Sequence, residues 1–193
     1  MRKLIVIFLL LSSFCFSQTK PINSENTWLI DYYFKDDKII KDGLSNIINL
    51  TLTGKYNDAK IEIYRLKSEV QKSSLAYSAL LCYEANICYN ESKYDQSFTL
   101  ADSAISITSN LDKDNRYIVK ALNIKAKALS ALNEFESSEK ILNETVQLAT
   151  AIEDKNGLAS SYYLQNSNAS DRGFYTKSKD LLLKSIALRK EIK

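Results

Sequence analysis

Several residue groups in this chain have types and spacings that could do chemistry. Glu134, Glu136 and Glu139 place three carboxylates close together, as hydrolysis by a carboxylate pair would require. They fall at the turn and start of an expected helix, where acidic residues on a solvated face favour the helix N-terminus. The segment DKDNRY, Asp112 to Tyr117, opens like a calcium loop, but Arg116 and Tyr117 stand where another oxygen ligand and a sharp-turn glycine are needed. It is rejected as a metal site. Cys82 and Cys88 are six residues apart on one expected helix, about 600° of turn and ~9 Å of rise, too far for a bridge. They read as small buried apolar residues. The chain has no histidine, which removes the commonest general base and zinc ligand and excludes Ser-His-Asp and Cys-His sites. No glycine spacing suits a phosphate cradle. The expectation is a non-enzymatic protein without catalytic residues, metal or cofactor.

The elements that carry these groups follow from composition and periodicity. With 193 residues, 45% apolar and 25% charged, the chain has the makeup of one folded domain. Residues 1–17, MRKLIVIFLLLSSFCFS, join a basic start to an apolar run and small residues, the pattern of a secretory signal peptide. Cleavage is expected after Ser17, leaving Gln18 first. A lipoprotein reading would acylate Cys15, but the bulky Phe14 before it suits that processing poorly. No later run reaches the ~18 apolar residues of a membrane span, so none is expected in the mature chain. Two of the 26 basic residues, Arg2 and Lys3, lie in the signal; the remaining 24 face 23 acidic ones, a net charge of +1. That balance implies neither nucleic acid nor an anionic membrane as partner.

One proline, little apolar–polar alternation and long runs with apolar residues at i, i+3, i+4 and i+7 predict an all-helical chain. The four glycines, Gly43, Gly54, Gly157 and Gly173, are expected at helix breaks. A shift of about forty residues aligns GKYNDAKIEIYRL, SKYDQSFTLADSA, NEFESSEKILNET and GFYTKSKDLLLKS. An aromatic recurs at Tyr56, Tyr94, Phe135 and Tyr175, spaced by 38, 41 and 40 residues. Small residues follow three positions later, at Ala59, Ser97, Ser138 and Ser178. Offsets of seven (Ile63, Ala101, Leu142, Leu182) and ten (Leu66, Ala104, Thr145, Ser185) complete one helix face. Nine residues before the aromatic, Ile47, Ala85, Ala126 and Asn166 mark the close-packing position of a preceding helix. Four helix pairs are predicted near 43–71, 77–110, 117–152 and 157–192. Three-residue turns join the helices within a pair, and longer connections such as SNLDKDNR or IEDKNG separate the pairs. The aromatic series is expected in the core. Such pairs cannot bury their apolar faces alone and must stack.

This pattern resembles the tetratricopeptide repeat, with Ala85, Tyr94, Ser97 and Ala104 matching well; the period of 38 to 41 looks like the extended variety in bacterial signalling proteins. The first-helix glycine of that family is absent, Asn166 replaces its usual small residue, and no proline closes a second helix. The resemblance covers 43–193 and implies a right-handed superhelical solenoid with a concave groove. Residues 18–42, through Trp28, Tyr32, Tyr33 and Phe34, are expected to cap the first repeat. Carrying the family register over lines the groove with Asn86, Tyr89, Asn90, Asn123, Lys127, Ser130, Tyr163 and Ser167. Amides and tyrosines suit an extended peptide. With the signal-peptide pattern of residues 1–17, the resemblance implies an exported, periplasmic or extracytoplasmic protein that binds a protein or peptide. Its alternative is the extracytoplasmic sensory segment of a membrane signalling protein, ending before a kinase or DNA-binding domain.

Overall fold

The computed structural model describes residues 24–111 and 116–192. The expected signal segment, 1–17, and most of DKDNRY lie outside the described residues. Among the described residues the chain is all-α, with nine helices and no strand. They are α1 (Ser24–Tyr33), α2 (Lys38–Leu52), α3 (Tyr56–Glu69), α4 (Leu75–Asn90) and α5 (Tyr94–Thr108). Then come α6 (Arg116–Ala131), α7 (Phe135–Ala151), α8 (Lys155–Asp171) and α9 (Tyr175–Glu191).

Four three-residue turns build the pairs, and each has the same construction. The middle residue takes a left-handed backbone: Gly54 (φ 73°), Ser92 (φ 62°), Asn133 (φ 65°) and Gly173 (φ 79°). The residue after it donates its N–H back into the first helix, Lys55 to Leu50, Lys93 to Cys88, Glu134 to Leu129 and Phe174 to Ala169, all at 2.8–2.9 Å. These bonds satisfy carbonyls that a helix C-terminus would otherwise leave open. Three first helices also carry side-chain caps: Asp37 on Ile40, Ser74 on Tyr77 and Asp154 on Gly157. The second helices have none; instead Asp58, Asp95 and Glu136 sit in the first turn of α3, α5 and α7, where the helix dipole favours them.

The aligned positions are the packing positions. Ile47, Ala85 and Ala126 are fully buried, as are Ala59, Ser97 and Ser138, then Ile63, Ala101 and Leu142. In the last pair polar bonds replace these contacts: Ser178 Oγ donates to Asn166 Oδ1 at 2.7 Å and Ser185 Oγ to the Ala159 carbonyl at 2.8 Å. Each helix packs on the next, and α2, α4, α6 and α8 also touch in succession, so the first helices of the four pairs form one layer.

Five expectations need correction. The first pair begins at Lys38, because Asp37 caps the helix and Ile40 joins the core ahead of Gly43. IEDKNG is not a long connection: Ile152 to Asp154 repeats the within-pair turn, with Glu153 at φ 54°, and α8 starts at Lys155. Gly43 lies inside α2 and Gly157 in the first turn of α8, neither at a break; a Cβ at Gly157 would lie 2.3 Å from Val119 Cγ1 and from Asp154 Oδ2. The aromatic series is half-buried at Tyr56, Tyr94 and Phe135, but Tyr175 is 73% exposed. Leu182 is likewise exposed, since no further helix among the described residues covers that side of α9. Finally, α1 reaches beyond the first pair. The Tyr33 and Phe34 rings lie 5.4 and 6.2 Å from the ring of Tyr117 on α6, which they help to bury completely.

Two outcomes follow from this packing. Gly157→Ala is expected to lower stability by about 1–3 kcal/mol, because overpacking displaces either Val119 or the α8 cap. Chemical denaturation of the two proteins measures this. Burial pushes the Cys82 thiol up to about 12 and raises Cys88 as well. Iodoacetamide at pH 8, followed by peptide mapping, should therefore leave Cys82 unmodified until denaturant is added.

Candidate functional site

The layer of first helices frames a cavity of about 300 Å³. Its walls differ. From α1 and α2 come Trp28, Leu29, Ile48 and Leu52, a mainly apolar side. Beside the apolar Ile124, α6 presents Arg116, Lys120, Asn123 and Lys127. These four sit at offsets of four, seven and eleven, which a 3.6-residue turn places on one face. Tyr83 and Asn86 of α4 join them, with Tyr163 and Leu164 of α8 and Arg189 of α9.

Four of the eight residues expected in a groove meet here: Asn86, Asn123, Lys127 and Tyr163. Asn123 is buried and largely committed to structure, its Nδ2 donating to the Gly157 carbonyl at 3.2 Å and its Oδ1 accepting from Ser161 Oγ at 2.8 Å. Tyr89 does not line the cavity but positions Lys127, whose Nζ lies 3.6 Å from the Tyr89 ring centroid. Ser130 is spent as a clamp between α6 and α8, donating to Asn168 Oδ1 at 2.6 Å. Asn90, exposed at the end of α4, and half-buried Ser167 lie outside the cavity lining.

The charges are unevenly balanced. Lys120 Nζ sits 4.5 Å from the Tyr83 ring centroid, as Lys127 sits over Tyr89, and cation–π attraction holds both. Burial lowers the pKa of each ammonium. Neither lysine has an ion-pair partner among the described residues. Elsewhere, partly buried lysines do: Lys60 with Glu91 at 2.5 Å, Lys125 with Asp102 at 2.5 Å, and Lys67 with Glu84. The one carboxylate in the cavity wall, Asp154, is buried and accepts the Gly157 N–H at 2.9 Å. Burial raises its pKa, against the backbone bonds and the charges of Arg116 and Lys120. The Arg116 guanidinium lies 5.3 Å from the Trp28 ring and 5.4 Å from Tyr32, and its Nε is buried without a hydrogen-bond partner.

Sequence reasoning missed Lys120, Arg116 and Trp28. The periodicity of α6 held a signal for the first two, since both lie on the face of Asn123 and Lys127. Trp28 had none, because its place depends on a contact between segments nearly ninety residues apart. The cavity can hold an occupant through charge, amide hydrogen bonds and apolar area. Among the described residues no group of three or more His, Cys, Asp or Glu side chains is placed to hold a metal, and no helix is long and apolar enough to cross a membrane. No protein-family model, curated protein or solved structure matches the chain.

The lysine environments can be read directly. In a pH titration of the lysine side chains by NMR, Lys120 and Lys127 should lose their protons below the ordinary 10.5. Lys93, whose charge is favoured by its bond to Glu91, should do so above it. All three titrating together at the ordinary value would contradict the cavity electrostatics.

Proposed function

We propose that this chain is a non-enzymatic helical-repeat protein that binds a protein or peptide along the layer of its first helices. The observation that carries this reading is the set of half-buried and exposed groups left facing the cavity: Asn86, Lys127 and Tyr163, with Tyr89 beside them. An amide can bond an extended backbone, and a tyrosine adds flat apolar area at small entropic cost. The recurring turns and packing positions support a tetratricopeptide-like right-handed solenoid as the scaffold. The basic and apolar pattern of residues 1–17 supports export, with the partner met in the periplasm or another extracytoplasmic space.

A photo-crosslinking amino acid placed at Tyr163, on this face, should trap a discrete partner in the producing cell. The same group at Lys140, exposed on α7, should not. Replacing Asn86 and Lys127 together by alanine should abolish the adduct. Equal trapping from both sites, or trapping unaffected by the double substitution, would refute the reading.

A further inference from the structure

The cavity pairs an apolar wall with two ammonium groups that make no ion pair among the described residues. Trp28, Ile48 and Leu52 supply the first; Lys120 and Lys127 supply the second. Partly buried lysines elsewhere in the molecule reach a carboxylate on a neighbouring helix or turn, yet these two, about two turns apart on the same α6 face, rest on the faces of Tyr83 and Tyr89 without an ion pair. A partly desolvated ammonium without a counter-charge is costly, and an anion arriving from solution relieves that cost. Asp154 attracts Lys120 without bonding to it, because its carboxylate holds the Gly157 N–H at the α8 N-terminus, and no carboxylate acts in this way on Lys127. The volume of about 300 Å³ lies at the lower end of the range that small-molecule sites occupy.

We propose that the cavity is a binding site for a small amphipathic organic anion, its apolar body against Trp28, Ile48 and Leu52 and its charged head on the α6 face that carries Lys120 and Lys127. This goes beyond a macromolecular partner and does not require one. Two ammonium groups act as point charges and accept a carboxylate or a phosphate ester alike. The apolar wall sets the second requirement, because methylenes buried against it are removed from water.

Trp28 is the only tryptophan in the chain, so its emission reports on the cavity wall. The purified chain is titrated with octanoate, octyl phosphate, octan-1-ol and acetate, following Trp28 fluorescence and, independently, heat by calorimetry. At least one eight-carbon anion should bind saturably and roughly tenfold or more tighter than octan-1-ol or acetate, as expected when a charge-assisted bond and an apolar contact are both needed. Whichever anion binds tighter identifies the head group. Replacing Lys120 and Lys127 together by glutamine should weaken the anion by roughly tenfold or more and leave octan-1-ol unchanged, in a protein whose circular dichroism matches the parent. Should that double variant misfold, Lys127→Gln alone is expected to weaken the anion in the same direction. No saturable signal with either anion, equal affinity for octan-1-ol, or anion binding indifferent to the lysine substitutions would overturn the proposal. Because no partner protein enters the measurement, failure here leaves the crosslinking result standing, and the reverse.

Discussion

The site depends on one contact, the burial of Tyr117 beneath Tyr33 and Phe34. It brings α1 against α6 and sets Trp28 beside Arg116, so that the apolar residues of α1 and the basic residues of α6 line one cavity. Without it the cavity would lack a side. Aromatic burial on this scale removes a large apolar area from water, and the tilted ring pairs add a further increment. Tyr83 lies in the same buried layer, and burial pushes the ionisation of both phenols upward. The same α6 therefore serves the core with Tyr117, Val119 and Ala121 while offering its next face to the cavity.

Around that contact the repeat supplies rigidity. Each left-handed turn residue closes a helix end within three residues, which leaves the two helices of a pair little freedom to change register. The interior chemistry then shifts along the chain. Ile47, Ile63 and Leu66 pack the first pair through hydrocarbon alone, whereas the last relies on serine and asparagine bonds to neighbouring side chains and carbonyls. Between α6 and α8, Asn123, Ser130 and Asn168 bond directly, so residues that look available for a ligand in the sequence are already occupied by the neighbouring helix.

That pattern explains what could be read from residue order and what could not. The aromatic at forty-residue intervals, with its small and apolar followers, located four helix pairs and the buried positions of the first three, because local periodicity encodes a helix face. The three-residue turns were legible from the same alignment. Gly43 and Gly157 were misread, since a glycine in a close helix crossing and a glycine in a break look alike in sequence. The largest omission was α1. Its aromatics read as a cover for the first pair, whereas Tyr117, their neighbour, lies in the third. A contact of such sequence separation leaves no periodic trace, so half of the cavity was invisible. The other half, on α6, was only partly seen: Asn123 and Lys127 were found through the repeat register, and Lys120 and Arg116 one and two turns earlier were not.

The packing of α1 on α6 is therefore the point at which the account is most exposed. Nuclear Overhauser spectroscopy on the purified protein, with Tyr117→Phe to assign the ring, measures it directly. Cross-peaks from the Tyr33 and Phe34 ring protons to the ring of Tyr117, whose centroids lie 5.4 and 6.2 Å away, are the predicted result. A Tyr117 ring with cross-peaks to α4 and no cross-peak to α1 would leave the cavity without its apolar wall and contradict the account.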